Sequence, residues 1–546
     1  MPVTVPWLPP STPTTMMNST RDDKFAFFDM YSKNMAFSQT AIVVSFAAIL
    51  VYAFRLLFKG KGKRSQEDIP YGLKYLNYLP RWVCGIMYSR NALGLMVSAR
   101  AKYPDAPYKL PRLDTDIVML PSSVLEELAG LPNAIASNIL ALQYDLVAAW
   151  TGLSMLQDVN LHLRVVQRRL SPNMRSLTLD LEEEVTNAVG ALFPQTSNGE
   201  WAEMDLYHVM MEVSSRVFSR MVVGPHFCRD PKWVDFAMNF TENVFNSIVF
   251  IRNFPAFLHP ILRYTLPSVT KAIDNIRQVE ELMVPVFTEL LKLDSKSNLE
   301  KGGSPEHGPL NWFLDIASGD ERDPVKLVHA QILLALGAVH TSLFSEINVL
   351  YDLMSNPSYF EVIRDEIQEV SDQGWSVDSY AKLHKLDSIL RESQRMSPPF
   401  LTGLRRVMKQ DYTFSNGISV HEGQYICIHT IPDQSNGATG VYPKFDGLRS
   451  YNLKAQEGSW KTASHQFGTT EISAIGFGHG RTACPGRYLA SLGLKIIFTK
   501  LLSEYNFKFT DGSKGRPLNR MVHEIVFPDP TIKVMVQRRE NASTPF

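Results

Sequence analysis

At 546 residues, with 45% apolar and 20% charged side chains, the chain has the composition of a globular protein with a large core. Lys+Arg and Asp+Glu each total 55, and a formal net charge of zero without a basic, aromatic-interleaved patch excludes nucleic acid as a partner. The four cysteines (Cys84, Cys228, Cys427 and Cys484) are far apart and form no CxxC pair. That excludes a disulfide framework and a zinc site, and places the body of the protein in a reducing compartment.

The first predicted element is a membrane anchor. Met35 to Phe54 carries no formal charge and has about the 20 residues that a hydrocarbon layer requires of a helix. Lys33 stops it on one side, and Arg55, Lys59, Lys61, Lys63 and Arg64 follow on the other. The basic excess puts residues 55 onward in the cytosol and residues 1–34 in the lumen. The segment ahead of the helix is too long for the n-region of a cleaved leader, so a single-pass anchor over 35–54 is expected. Asn18-Ser19-Thr20 is a glycosylation sequon on the lumenal side. A basic linker, 55–69, then leads through Pro70 and Pro80 into a globular domain over 70–546.

From Leu95 to Leu291 most segments have helical periodicity, with breaks at Val223-Gly224-Pro225 and Phe254-Pro255. Lys292 to Leu310 reads as an exposed polar loop. Pro324 to Met354 is a long apolar helix, and Pro357 to Val370 a second, with Asn356 as N-cap and Pro357 at its first position. A further helix ends at Pro398; on it Glu392 and Arg395 lie three apart, on one face and able to pair. Beyond it, Ile418–Val420 and Tyr425–His429 alternate as short strands, and Arg516 to Arg539 reads as extended. The fold class is therefore mostly α with a small β region.

Phe477-Gly-His-Gly-Arg-Thr-Ala-Cys484-Pro-Gly486-Arg places one cysteine in a glycine-rich turn before the helical run from Tyr488. A thiolate that ligates a metal needs donors near the sulfur and a backbone able to approach closely, and helix N-terminal amides favour an anionic sulfur. The alternative is an inert buried cysteine. The loop resembles the haem-binding loop of the cytochrome P450 family, Phe-x-x-Gly-x-x-x-Cys-x-Gly, matched by Phe477, Gly480, Cys484 and Gly486. Thr482 departs from the Arg or His the family usually places two residues before the cysteine, with Arg481 one step earlier. The resemblance covers residues 70–540 and looks most like fungal, membrane-bound members of secondary metabolism. It implies a cytochrome P450-type fold behind the anchor and haem b ligated by Cys484.

Other segments take roles from the same resemblance. Gly337-Ala-Val-His340-Thr341-Ser342 is similar to the oxygen-activation segment, with His340 in place of the usual acid and Thr341 and Ser342 organising protons. Glu392, Arg395 and Arg449 of Phe445-Asp-Gly-Leu-Arg449 resemble a structural ion-pair network, expected to be buried. Arg406 matches a haem-propionate contact, and His162 substitutes for a basic residue where Gln167 stands. Phe400, Leu401 and Thr402 fall where the family lines its substrate pocket.

The implied activity is a monooxygenase of the endoplasmic reticulum membrane, its catalytic domain cytosolic. Electrons would come from an NADPH-cytochrome P450 reductase, because the chain has no convincing nucleotide-binding glycine motif or flavin module. The expected substrate is a hydrophobic terpenoid or meroterpenoid; an indole alkaloid or polyketide competes. Other classes are a haem-thiolate isomerase or dehydratase needing no external electrons, and a haem-binding sensor without turnover.

Overall fold

The computed structural model describes residues 69–546 apart from 158–159, 196–198, 298–307, 431–443, 461, 511, 513–514 and 541–542. The anchor at 35–54, the linker and the Asn18 sequon lie outside the described residues. Ile69–Phe546 is one compact unit.

The chain enters through α1 (Arg81–Lys102), then β1 (Tyr108–Pro111) and β2 (Asp116–Met119), the short α2 (Leu125–Gly130), β3 (Ala136–Ser137) and α3 (Asn138–Asp145). Helices dominate next: α4 (Leu161–Val165), α5 (Met174–Leu192), then β4 (Ala202–Asp205), α6 (Leu206–Phe227), α7 (Pro231–Ile251), α8 (His259–Thr265), α9 (Pro267–Ser297), α10 (Gly308–Ile316), α11 (Pro324–Ser355), α12 (Ser358–Asp372) and α13 (His384–Met396). The last third mixes β5 (Thr402–Met408), β6 (Tyr412–Thr413), β7 (Ser419–Val420), β8 (Tyr425–His429), α14 (Arg449–Gln456), α15 (Arg487–Glu504), β9 (Tyr505–Phe509), β10 (Arg520–Val522), β11 (Ile525–Phe527) and β12 (Lys533–Arg538).

Helix α11 is the axis of the main core, with α6, α7, α9 and α13 packed on it. Its start follows from sequence: the Asp323 carboxylate accepts from the amides of Val325 (2.8 Å) and Lys326 (3.4 Å), and Pro324 needs no amide partner at the first position. Among the described residues it is also the one helix long and apolar enough to cross a membrane, but its apolar length is spent inside the core. The predicted break at Gly224 is real: φ of +80° there, followed by Pro225, interrupts α6.

The main sheet has the order β1-β2-β8-β5-β3, with β2 and β8 parallel and the other neighbours antiparallel. Its first two strands come from a region in which most segments read as helical. They are four residues each, too short for a period to stand out. Between Gly403 and Arg406 the β5–β8 register slips, and Leu404 at the bulge has φ of +50°.

Three local expectations need correction. The polar stretch after Lys292 continues α9 to Ser297, and α10 already begins at Gly308, so the loop is shorter than its composition suggested. Asn356 does not cap α12: its side chain donates back to the Asp352 carbonyl at 2.8 Å, so it closes α11, and Pro357 takes the capping position. The third concerns the ion-pair trio. Glu392 takes two bonds from Arg395 at 2.7 Å and one from Arg449 at 3.1 Å, and its Oε1 also accepts the Asp446 amide at 3.1 Å. Only the carboxylate is buried, at 1% exposure; Arg395 is 22% and Arg449 41% exposed.

The asymmetry orders the mutants. Arg395→Ala leaves a buried carboxylate with only the more exposed Arg449 and the Asp446 amide, both at 3.1 Å, and should cost about 3 kcal/mol, whereas Arg449→Ala should cost less than about 1 kcal/mol. Urea unfolding of the two purified variants checks this, and equal losses would show that both arginines carry the trio.

Candidate active site

The Cys484 loop is held by its own backbone. The Cys484 amide donates to the Phe477 carbonyl at 2.7 Å, and the Gly478 amide to Ile475 at 2.8 Å, closing the turn. Gly480 has φ of +61°, and a Cβ there would lie 2.9 Å from both the Cβ and the carbonyl oxygen of Ala129. Only glycine fits both demands. The Phe477 ring meets Phe467 edge-on at 5.1 Å, which fixes it beside the cysteine.

The Cys484 sulfur opens into a cavity of about 310 Å³. Burial raises the thiol pKa, while the Gly486 and Arg487 amides and the Arg487 charge pull it down. Those donors face the sulfur just before α15 begins, so they suit a thiolate once a cation replaces the proton.

The cavity joins four of the expected regions. Gly337, Thr341 and Ser342 of α11 line it, as do Phe400 and Thr402, Arg406 of β5, and Phe477, Thr482 and Cys484 of the loop. The Thr341 hydroxyl donates to the Gly337 carbonyl at 2.7 Å. Arg406 is buried, donates Nη1 to the Arg405 carbonyl at 2.9 Å and Nη2 to the Thr482 hydroxyl, and leaves Nε buried without a partner. Burial and the neighbouring Arg405 lower its pKa to about 10. Thr482, the departure from the family pattern, therefore steers this guanidinium.

Four residues fall elsewhere. His340 is buried beside Phe344, and neither ring nitrogen has a well-formed hydrogen bond. One helical step separates it from Thr341, and that rotation takes it off the cavity wall. Burial, only partly offset by the Met238 main chain, lowers its pKa to about 3. Leu401 is buried in the core beneath the sheet, its amide donating to the Glu524 carbonyl at 2.8 Å, because neighbours in extended chain face opposite sides. His162 lies outside the cavity, pushed to about 4 by burial. Arg481 lines a separate depression with Gln167, Gly480 and Arg487, on another side of the loop.

Sequence reasoning missed a charge cluster on the same cavity. Asp145, at the end of α3, accepts from Arg112 (3.1 Å), Arg252 (3.1 Å), Arg405 (2.8 Å) and the Tyr425 hydroxyl (2.8 Å). Glu524 accepts from Arg112 (3.0 Å), Arg252 (2.8 Å) and Tyr88 (3.2 Å), and Asp114 from Arg112 (2.7 Å). Burial would raise the Glu524 pKa, but Arg252 and Arg112 hold it well below the usual carboxylate range. No local spacing announces this cluster, since its members come from separate segments between residues 88 and 524.

The family model for cytochrome P450 matches residues 80–536. The chain is 33% identical to cytochrome P450 monooxygenase AN1598 of Emericella nidulans, over 85% of this chain and 86% of the relative. It is 32% identical to cytochrome P450 monooxygenase AtmP of Aspergillus flavus (87% and 91%) and 29% identical to ent-kaurene oxidase P450-4 of Gibberella fujikuroi (84% and 90%). Among solved structures, retinoic acid bound cyanobacterial CYP120A1 has the same fold, with a TM-score of 0.61 at 16% identity, over 87% of this chain and all of that one. The chain belongs to the cytochrome P450 family, as a monooxygenase of the fungal secondary-metabolism type. That family implies a haem-thiolate iron centre, and the residues present fit one. A sulfur faces the cavity with amides around it, Gly480 lets the turn lie against Ala129, and a buried guanidinium keeps an unpartnered Nε for an acidic group.

Three outcomes follow. Cys484→Ala should abolish the red-shifted carbon monoxide band of the reduced protein, and Gly480→Ala should reduce haem content through the Ala129 clash. His340 has a folded pKa well below its ordinary value near 6.5. Its contribution to stability is therefore complete above about pH 6.5 and is lost as pH falls toward 3. His340→Leu should flatten that acid limb in thermal melts from pH 4 to 8, without moving the pH profile of turnover.

Proposed function

We propose that the protein hydroxylates, or oxidises further, a hydrophobic terpenoid or meroterpenoid, using dioxygen and electrons from an NADPH-cytochrome P450 reductase. The observation that carries this reading is the cavity itself, which joins the Cys484 sulfur to the hydroxyls of Thr341 and Ser342 and to the apolar Phe400. Relatives include an enzyme named for oxidation of ent-kaurene, a diterpene hydrocarbon, which favours terpenoids over indole alkaloids or polyketides. The anchor at 35–54 tethers the domain to the endoplasmic reticulum membrane, on the cytosolic side, with Asn18 glycosylated in the lumen.

Haem b, when bound, supplies the dioxygen chemistry that no side chain can perform. The Cys484 sulfur would hold its iron, and the Gly486 and Arg487 amides would temper the charge on that sulfur. Arg406, held in place by Thr482, would offer its unpartnered Nε to an acidic group of the haem. Thr341 hands protons to the site: its hydroxyl, parked on the Gly337 carbonyl, can rotate to donate into the cavity and be recharged from Ser342 or water. His340, turned away and held neutral, has no part in that transfer. Phe400 and Thr402 present the substrate, excluding water from the reacting carbon.

Microsomes containing the protein and a reductase, fed terpenoid precursors, should give products heavier by one oxygen only when NADPH is present. Product without NADPH would instead favour an isomerase or dehydratase. Thr341→Ala should keep NADPH consumption but lower product formed per NADPH by about tenfold. An unchanged ratio would remove Thr341 from proton delivery.

A further inference from the structure

The bulge in β5 does something a regular strand cannot. In ordinary alternation Arg405 and Arg406 would face opposite sides of the sheet. The register slip between Gly403 and Arg406, with Leu404 at φ of +50°, brings both arginines to the cavity wall. Left-handed backbone is sterically disfavoured for a leucine, so the arrangement is actively held by its surroundings.

The two arginines differ in circumstance. Arg406 has no carboxylate partner among the described residues and faces Thr482. Arg405 spends Nη1 on Asp145 at 2.8 Å and sits over the Phe400 ring at 4.4 Å, yet its side chain keeps 19% exposure. The other guanidinium groups of the cluster, Arg112 and Arg252, are wholly buried. Arg405 is thus the edge at which the cluster meets the cavity. On the same wall, Asn138 and Leu142 precede Asp145 on α3, and the Asn138 Oδ1 is buried without a partner.

We propose that Arg405, held by Asp145, is the polar anchor of the cavity, and that it selects apolar molecules already carrying a neutral oxygen, a hydroxyl or ketone. The cluster's charge balance sets the class. Arg112, Arg252 and Arg405 match Asp114, Asp145 and Glu524, so a carboxylate ligand adds an unmatched negative charge beside Asp145 and an ammonium an unmatched positive charge beside Arg405. A neutral acceptor takes a hydrogen bond from Arg405 at no such cost, and a hydroxyl can also donate to an acceptor such as Asn138. The substrate would then come from a step that had installed or preserved an oxygen, and the new oxidation would fall at a carbon fixed by its distance from that group. The inference rests on the cavity being the oxidation chamber described above.

Imidazoles test it without knowledge of the natural substrate, because the imidazole head ligates haem iron and shifts the Soret band while its tail reaches along the cavity. Two series with matched tail lengths are titrated into the haem-loaded protein, one ending in a methyl group and one in a hydroxyl. In a purely apolar cavity the hydroxyl series binds more weakly at every length, since its desolvation goes uncompensated. With the anchor, one tail length should bind about tenfold tighter than its methyl counterpart. Arg405→Met should reverse that preference while leaving methyl-tail affinity unchanged, and Arg405→Lys should restore part of it. Asp145 keeps Arg112, Arg252 and Tyr425 in both variants, so the fold is expected to survive. A wild-type preference for methyl tails at all lengths overturns the anchor whether or not the variants fold, while the Soret shift leaves the chamber intact. Absence of any Soret shift sinks the chamber and the anchor together.

Discussion

A cysteine sulfur that opens into an internal cavity is the constraint to which the rest of the structure answers. Low-dielectric surroundings push the thiol toward its neutral form, and the loop opposes this with amides at Gly486 and Arg487 and the Arg487 charge. Those donors face the sulfur only because the Cys484 amide is tied to Phe477 and because Gly480 lets the turn lie against Ala129. Helix α15 continues that geometry into the core, and α11 crosses the opposite wall. The cavity is the space left between two rigid helices and a bulged strand.

The same rule, that buried charge must be matched, divides the arginines into kinds. Arg112 and Arg252 are fully enclosed and each is bonded to carboxylates, and they tie the start of the sheet, the end of α7 and the C-terminal hairpin to α3. Arg395 and Arg449 flank a buried carboxylate from the solvent side and can relax outward when it is lost. Arg406 alone is enclosed without a carboxylate among the described residues, which in a well-packed interior marks a place for a bound anion.

What could be seen in the sequence depended on whether the cause was local. The Cys484 loop, the α11 span and the Glu392–Arg395 spacing are encoded within a turn or a few helical steps, and each appears where its residues place it. His340 and Leu401 show the limit of the same reasoning. A motif locates a segment, but the face a residue occupies depends on helix rotation or strand alternation within a particular packing, and both side chains point into the core. The strands near residue 110 were hidden by brevity. The Asp145 cluster was hidden for a different reason: apart from the neighbours Arg112 and Asp114 its members share no segment, and only the folded topology brings Tyr88 within reach of Glu524.

The bulge at Leu404 separates two tasks along one stretch of chain. The main-chain carbonyl of Arg405 supports Arg406, while its side chain points to Asp145. A change of side chain at position 405 leaves that carbonyl in place, and with it the support for the neighbouring guanidinium. Position 405 can thus change what it offers the cavity while position 406 keeps its support. A scaffold organised this way can diversify what it accepts without rebuilding what makes it work.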